Sequence, residues 1–290
     1  MRLRADWLSR VVTVPYLPIL GPVHPDQCTG ETFAEVLAAS RAGVALPYDK
    51  DRRWSPVKTG TALVDEITHC PDHTIVPVLT RRGDGCTVKT LFYGRSPDLD
   101  TLRAATRRWR TTYRAAHGRV IWFSTNPADP ENHTRILLKN FTGPPTTTIE
   151  RPAVTNLDDC TPEVTATFPA FAAAMAEHGF DFLRRRREAG HRDGPILIAQ
   201  AKRRIVGAIG PLTITPDRSG RRTLLPQYFG VLPEHRSHGY GRALWHAVER
   251  WAVHHGAHYQ LLQTRVGGTS DRLFQSEGLQ TLGFLNRVHA

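Results

Sequence analysis

Alternation of apolar and polar residues predicts paired strands in the first half of the chain, followed by a helix. Apolar positions 102, 105, 109, 113 and 116 share one face of that helix, and Gly118 is placed to end it. In chain order, the pattern predicts a strand, a strand, a helix, a strand and a helix at Thr74–Thr80, Cys86–Tyr93, Leu99–His117, Arg119–Ser124 and Glu131–Asn140.

The second half predicts a longer set of elements. Helices interrupted near Gly179 come first, and Lys202–Arg204 is typical of a hairpin turn. The predicted elements are helices over Pro162–Ala189, strands over Pro195–Ala201, Ile205–Ile214 and Leu224–Leu232, a helix over Tyr240–His255, a strand over Tyr259–Val266, a helix over Thr269–Glu277 and a strand over Gly278–Val288. This order predicts an α/β fold with a mixed sheet, that is, an α+β combination of parallel and antiparallel strands.

A Pro/Thr-rich segment, Gly143–Thr148, predicts a linker between two domains, residues 1–150 and 151–290. Both halves contain a hairpin, a helix, a strand and a helix in that order, which suggests an internal duplication.

The composition, with 40% hydrophobic and 22% charged residues, fits a globular protein of 290 residues. The net charge is +11, which suits polyanionic partners such as CoA, a phosphopantetheine carrier protein or RNA. A coding bias is the alternative cause, since Arg outnumbers Lys 33 to 5. The sequence contains no run of 18 apolar residues, so it predicts no membrane span. The N-terminus does not resemble a secretory signal. We therefore expect a cytoplasmic protein.

Metal-capable side chains occur at His69, Cys70, Asp72, His73 and Cys86, but their spacing matches no zinc pattern. None of the four cysteines forms a C-x-x-C pair. We therefore predict no metal site.

The segment Phe229–Leu244 carries the clearest chemical signal. A predicted strand ends at Leu232, a loop with Gly239 and Gly241 follows, and a helix begins at once. Backbone N–H groups at a helix N-terminus bind anions, and glycine lets the anion approach the backbone closely. The spacing is not the G-x-G-x-x-G of dinucleotide-binding folds. The segment therefore predicts a pyrophosphate site.

The same segment resembles the GNAT family of acyl-CoA N-acyltransferases, whose loop reads Arg/Gln-x-x-Gly-x-Gly/Ala. Arg236-Ser237-His238-Gly239-Tyr240-Gly241 matches every fixed position, and Val231, Pro233 and Glu234 match the approach to it. The resemblance covers roughly Thr161–Val288. It implies acetyl-CoA as co-substrate, the thioester between diverging strands Leu224–Leu232 and Tyr259–Val266, and cofactor contacts at Phe229, Gly230, Val231, Arg236, Ser237, His238, Gly239, Tyr240, Gly241 and Arg242.

The sequence departs from the family at its catalytic positions. Many members have a Glu on the strand before the loop, and this strand has no acid. Phe274 takes the place of the Tyr that protonates the thiolate, and Thr269 and Ser270 stand near the place of the usual Asn. Positioning alone could supply most of the rate, or another residue could move the proton. The candidates for that residue are Tyr228, Gln227, His178 and Asp181.

The resemblance implies acetyl transfer from acetyl-CoA to a primary amine of a small polar metabolite, with a role in antibiotic biosynthesis or resistance as a narrower hypothesis. An aminoacyl-tRNA-dependent transferase and a non-catalytic acyl-CoA sensor are the alternatives, and only the former would bind nucleic acid. The first half has Tyr93–Pro97 instead of a glycine-rich loop before its helix, so it predicts a degenerate GNAT-like lobe.

Two arginine-rich patterns allow two interpretations. Arg103, Arg107, Arg110 and Arg114 form a stripe on one predicted helix, which suits either a phosphate track or a solvated face. Arg184–Arg187 could attract an acidic substrate or be an ordinary surface run.

Overall fold

The structure is a computed structural model and describes residues 7–8, 13–54, 58–126, 133–141 and 152–290. The chain packs as two compact units. The first combines Met1–Leu138 with Leu261–Ala290, and the second is Lys139–Gln260. The predicted linker Gly143–Thr148 and the predicted domain boundary at residue 150 lie outside the described residues, so that boundary stays a prediction.

The chain contains runs of consecutive strands separated by single helices or short groups of helices. The strands are β1 (Tyr16–Leu17), β2 (Gly21–Pro22), β3 (Lys58–Ala62), β4 (Thr68–Cys70), β5 (His73–Arg82), β6 (Gly85–Gly94), β7 (His117–Ser124), β8 (His133–Asn140), β9 (Val154–Asn156), β10 (Leu197–Ala201), β11 (Arg204–Gly210), β12 (Ile214–Pro216), β13 (Arg222–Leu224), β14 (Tyr228–Val231), β15 (Tyr259–Arg265) and β16 (Gln280–His289). The helices are α1 (Gly30–Ala42), α2 (Leu99–Thr112), α3 (Pro162–Thr165), α4 (Phe168–Ala174), α5 (Phe180–Glu188), α6 (Tyr240–His254) and α7 (Thr269–Ser276).

The first unit is built on a mixed sheet in which β8, β16, β7, β6, β5 and β3 are neighbours in that order. β6 and β7 are parallel, and the other neighbours in this series are antiparallel. α2 connects the two parallel strands, as such a pair requires, and buries Leu102 and Trp109. Phe33, Val36 and Leu37 of α1 belong to the main core cluster of this unit.

The second unit contains an antiparallel sheet in the order β14, β11, β10, β9. Phe171 of α4 and Phe180 of α5 meet edge to face at 5.1 Å and pack in one cluster with Ile198 and Ile205. β12 pairs with β13, and β13 runs parallel to the start of β15. The prediction of an α/β fold with a mixed sheet is confirmed.

The structure corrects the predicted end of the first helix. α2 ends at Thr112 instead of His117, and β7 begins at His117. Arg114 has a positive φ of 50°, and the N–H of Ala116 donates to the carbonyl of Cys86 in β6. The chain therefore leaves the helix early because its backbone bonds to the sheet.

The predicted helix Glu131–Asn140 is also wrong over its described part, which is strand β8. Ile136, Leu137 and Leu138 are all buried, and the strand pairs with β16. A strand covered on both faces shows a continuous apolar run, which periodicity cannot distinguish from a short helix. The predicted duplication therefore matches only as far as β7.

Two predicted strands of the second half are each divided in two. Ile205–Ile214 becomes β11 and β12 with Pro211 between them, and Leu224–Leu232 becomes β13 and β14 with Pro226 between them. Proline has no N–H to donate to a ladder, so each strand is interrupted near its proline. Across the described residues, no helix has both the length and the apolar composition needed to cross a bilayer.

Candidate functional site

Strand β14 places backbone groups along an edge of the four-stranded sheet. It pairs antiparallel with β11, with Val231 opposite Gly207 and Tyr228 opposite Gly210. Just beyond the strand, the N–H of Leu232 donates to the carbonyl of Val206 at 2.9 Å. Because backbone groups alternate in direction along a strand, the N–H and C=O of Phe229 and Val231 point away from β11. They are therefore directed to the edge of this sheet.

The chain changes partner between β13 and β14. Thr223 and Leu224 pair with Tyr259 and Gln260 in parallel register, and this pairing extends no further along β13. After Pro226 the chain pairs with β11 instead. The expected divergence of this strand from the next one therefore begins at Leu224 within the second unit.

An exposed loop connects β14 to α6. It begins with a 3₁₀ turn at Pro233–His235, after which the backbone of Ser237 and Gly239 takes φ values of +63° and +82°. The guanidinium Nε of Arg236 donates to the carbonyl of Val231 at 3.2 Å, and His238 Nδ1 lies 2.7 Å from the carbonyl of Arg236. The arginine of the predicted motif thus ties the loop back to the end of β14.

The N-terminus of α6 presents backbone donors at this loop. Gly239 is the N-cap residue and provides no side-chain cap, and the first helical bond runs from Ala243 N–H to the carbonyl of Gly239 at 3.0 Å. The amides of Tyr240 and Gly241 precede that bond, at the positive end of the helix dipole. Such a terminus is suited to bind an anionic group.

Close packing holds α6 against the sheet. Leu244 and Trp245 are fully buried. A Cβ on Gly207 of β11 would lie 3.0 Å from Leu244 Cδ1 and 3.2 Å from Val231 Cγ2. Gly207, which the sequence analysis did not single out, therefore lets the helix and β14 approach β11 together.

Gly230 of the predicted cofactor set has a packing role. A Cβ at this position would lie 2.4 Å from Met175 Cε and 3.3 Å from Phe180 Cε2. Phe180 also lies 6.3 Å from the ring of Tyr228. The face of β14 that carries Tyr228 and Gly230 is therefore covered by the segment between α4 and α5.

Tyr228 and His178 lie around the same short segment. A Cβ on Gly179 would meet Tyr228 Cε1 at 2.2 Å, so the tyrosine ring packs directly on this glycine. Phe182 contacts the ring edge-on at 6.3 Å. His178 precedes Gly179 and is exposed. The ring of half-buried Tyr228 packs on Gly179, and His178 is the residue before that glycine. These two candidates are therefore brought to the same short segment.

Asp181 is engaged in ion pairs. Its carboxylate accepts from Arg184 at 2.7 Å and lies 3.1 Å from Arg185. The hydrogen bond from Arg184 holds the pKa of Asp181 below its ordinary value, so the group stays a carboxylate and is a weak base at neutral pH.

Gln227 is engaged in amide hydrogen bonds. Its Nε2 donates to the carbonyl of Leu225 at 2.6 Å, and its Oε1 accepts from Gln260 Nε2 at 2.7 Å. An amide does not ionise near neutral pH and so cannot act as a general acid or base. The two hydrogen bonds hold Gln227 at the point where the strands diverge.

The arginine run Arg184–Arg187 is paired within the second unit. Arg184 binds Asp181 and Glu188, and the remaining partners are Asp181 for Arg185, Asp193 for Arg186 and Asp158 for Arg187. These pairs support the interpretation of the run as a surface feature.

Helix α7, in the first unit, contains Phe274, which the sequence resemblance puts in the place of a tyrosine. Phe274 is buried, and buried Asp271 accepts from Arg135 Nε at 2.8 Å and from Thr264 Oγ1 at 2.9 Å. Its other carboxylate oxygen accepts from the Gly267 N–H at 3.0 Å. The sequence analysis missed this pair because Arg135 is 136 residues away, although an acid in a first helical turn is a usual signal.

The metal-capable cluster is not assembled in the structure. His69 Nδ1 contacts Thr74 Oγ1 at 2.8 Å, and His73 Nδ1 contacts Asp72 at 2.8 Å. Over the part of the chain that the structure describes, no three His, Cys, Asp or Glu side chains converge on one point.

Comparison with known proteins identifies part of the chain. The model of the Acetyltransferase (GNAT) family matches residues 157–275. No curated protein is similar enough in sequence to count as a relative.

Several solved structures are similar to this chain at low sequence identity. A GCN5-related N-acetyltransferase from Sphaerobacter thermophilus has 14% identity and a TM-score of 0.46, covering 78% of this chain and 82% of its own. A tandem GNAT protein from the clavulanic acid biosynthesis pathway has 11% identity and a TM-score of 0.49, and the match covers 88% of this chain and 93% of that protein. A GCN5-related N-acetyltransferase from Kribbella flavida has 14% identity and a TM-score of 0.42, and the match covers 78% of this chain and 90% of that protein.

Proposed function

We propose that this chain, whose residues 157–275 form a GNAT domain, transfers an acetyl group from acetyl-CoA to a primary amine of a small polar metabolite. The observation that carries the proposal is the exposed α6 N-terminus, where the amides of Tyr240 and Gly241 precede the first helical hydrogen bond. A CoA diphosphate is an anion of the kind that such a terminus binds.

The edge of β14 supports the placement of the acyl group. The backbone amides of Phe229 and Val231 are directed to that edge, from which they could hydrogen-bond the pantetheine arm and the thioester carbonyl. Arg236 would hold the loop in place through the Val231 carbonyl. In this proposal, Ser237, His238, Gly239 and Arg242 complete the lining around the diphosphate.

Proton transfer is assigned here to Tyr228 and His178. Tyr228 has the one hydroxyl on β14. His178 lies next to Gly179, on which the ring of Tyr228 packs. Tyr228 would donate to the leaving thiolate, and His178 would accept from the amine, directly or through water. Asp181 and Gln227 would hold neighbouring segments in place, because their polar atoms are committed to Arg184, Arg185, Leu225 and Gln260.

A non-catalytic acyl-CoA sensor is the second candidate. It is favoured by the lack of an acid in Tyr228–Val231 and by buried Phe274 in α7. The hypothesis of a role in antibiotic biosynthesis or resistance rests on the sequence alone, as does that of an aminoacyl-tRNA-dependent transferase.

The decisive experiment is native mass spectrometry of the purified protein with CoA, followed by thiol release from acetyl-CoA in a panel of primary amines. We expect a one-to-one CoA complex and turnover with at least one amine, without tRNA. Binding without turnover across the panel would favour the sensor. Absence of CoA binding would overturn both candidates.

A further inference from the structure

The first unit contains a strongly basic cavity of about 370 Å³. It is lined by Arg103 of α2, Arg119 of β7, and Arg287, Val288 and His289 of β16, so none of the described lining residues is acidic. We propose that this cavity binds the phosphate or diphosphate group of a small phosphorylated molecule. The proposal concerns other residues than the loop Arg236–Arg242 and does not depend on the function assigned to that loop.

The strand register concentrates positive charge on one face of the sheet. Arg119 lies directly opposite His289 across the antiparallel β7–β16 ladder. Arg287 lies two residues from His289 and so projects from the same face of β16. Arg119 and Arg287 are therefore diagonal neighbours on this face, and like charges on long side chains at that spacing repel each other. A bound anion would offset this repulsion, and a phosphate carries the opposite charge in a compact form.

A buried donor in the cavity wall lacks a partner. Arg119 Nε is buried and has no hydrogen-bond partner among the described residues. Guanidinium groups stay protonated, and a buried charged donor without an acceptor is costly. A small movement of the Arg119 side chain would bring this donor to a phosphate oxygen in the cavity, and guanidinium geometry matches phosphate oxygens well.

The ion pair of Arg103 with Asp100 is too exposed to neutralise the cavity. Arg103 lies 3.6 Å from Asp100, whose side chain is 96% exposed. An ion pair this exposed is weak, so Arg103 can exchange it for a phosphate at little cost.

The shape of the site favours a small ligand over an extended nucleic acid. α2 ends at Thr112, so Arg114 of the predicted arginine stripe lies beyond the helix, and of the four stripe residues only Arg103 lines the cavity. Arg107 and Arg114 are exposed outside it, and Arg110 donates to the carbonyl of Ala290 at 3.4 Å. A track for a nucleic acid backbone would need a row of cations along an open surface, whereas a concave site of this volume suits a compact group.

The test is a calorimetric titration of the full chain with inorganic pyrophosphate at low salt. Arg119→Gln and Arg287→Gln should each weaken binding by about tenfold or more, because each removes a charge-assisted hydrogen bond. Arg107→Gln is the matched control, since it removes the same charge from α2 outside the cavity, and it should change the affinity less than about twofold. Arg287 is exposed, so its variant tests the site even if Arg119→Gln does not fold.

Repeating the titration with Gly239→Glu separates this site from the proposed CoA loop. Pyrophosphate binding that survives Gly239→Glu and depends on Arg287 supports the cavity, even if the protein binds no CoA. Equal affinities in the Arg119, Arg287 and Arg107 variants would overturn the proposal. So would loss of all binding in Gly239→Glu, or tight binding of duplex RNA that depends on Arg107 and Arg114 but not on Arg119.

Discussion

Gly230 packs directly beneath Met175, so that a Cβ on Gly230 would come within 2.4 Å of the methionine Cε. Phe180 Cε2 would lie 3.3 Å from the same Cβ. The glycine of β14 is therefore needed for the close approach of the segment between α4 and α5, in addition to any role at the edge of the sheet.

Replacing Gly230 with Ala should destabilise the second unit by about 1–3 kcal/mol, because the added methyl group overpacks this contact. Met175→Ala should cost about 2–5 kcal/mol alone by leaving a cavity. The double variant should cost clearly less than the sum, since the smaller side chain makes room for the new Cβ. Urea unfolding of the four proteins measures this coupling, and additive costs would contradict the packing relationship.

Placing an acidic side chain at the α6 N-terminus should abolish CoA binding. Gly239→Glu puts a negative charge and a bulky group where we place the diphosphate, and we expect the affinity to fall at least about a hundredfold. Gly241→Glu should act in the same way. Isothermal titration with CoA measures the loss, and circular dichroism checks that the fold is kept.

Gly220 provides the matched control for this variant. Both Gly220 and Gly239 have a φ of +82°, and no atom would lie within 4 Å of a Cβ on Gly220. Gly220→Glu therefore adds the same charge and the same backbone strain elsewhere in the second unit. Unchanged CoA affinity in Gly239→Glu, or equal losses in both variants, would refute the assignment of the diphosphate site.

Asp271 should make the stability of the first unit pH-dependent. Burial alone would raise the pKa of Asp271, but hydrogen bonds from Arg135, the Gly267 amide and Thr264 outweigh it and leave the pKa below its ordinary value. A depressed carboxyl pKa stabilises the fold above the unfolded pKa, about 4, and the contribution is lost as the pH falls through the folded value. Stability should therefore decline below about pH 4 in part through this group.

Asp271→Asn should cost about 3–5 kcal/mol at pH 7, because it leaves the Arg135 charge without its buried partner. It should also reduce the pH dependence of unfolding between pH 7 and pH 3. Asp65→Asn is the control, since Asp65 pairs with Arg41 at 2.6 Å but its side chain is 87% exposed. That variant should change stability by less than about 1 kcal/mol, and equal costs for the two variants would contradict the structural role of Asp271.

Tyr228 and Asp181 should differ in their effect on turnover. Tyr228→Phe keeps the ring packed on Gly179 and removes the hydroxyl, so we expect kcat with acetyl-CoA to fall about tenfold to a hundredfold with little change in CoA affinity. Asp181→Asn should leave kcat within about threefold, because the low pKa of this carboxylate makes it a poor base. A larger kcat loss for Asp181→Asn than for Tyr228→Phe would reverse these two assignments.

The sequence by itself determined the features that depend on near neighbours along the chain. Gly239 and Gly241 before an apolar helical pattern identified the start of α6, and Gly179 identified the break before α5, because turns and caps follow from local backbone preferences. The same local motif was enough to predict the family that the comparison confirms for residues 157–275.

Contacts between distant segments were decided only by the tertiary structure. β8 was predicted as a helix because Ile136–Leu138 gives no alternation, and its pairing with β16 determines that it is a strand. Arg135 and Asp271 meet across 136 residues, and Arg119 faces His289 across 170. No local pattern records such partners, since strand register and side-chain burial arise only when the whole chain packs.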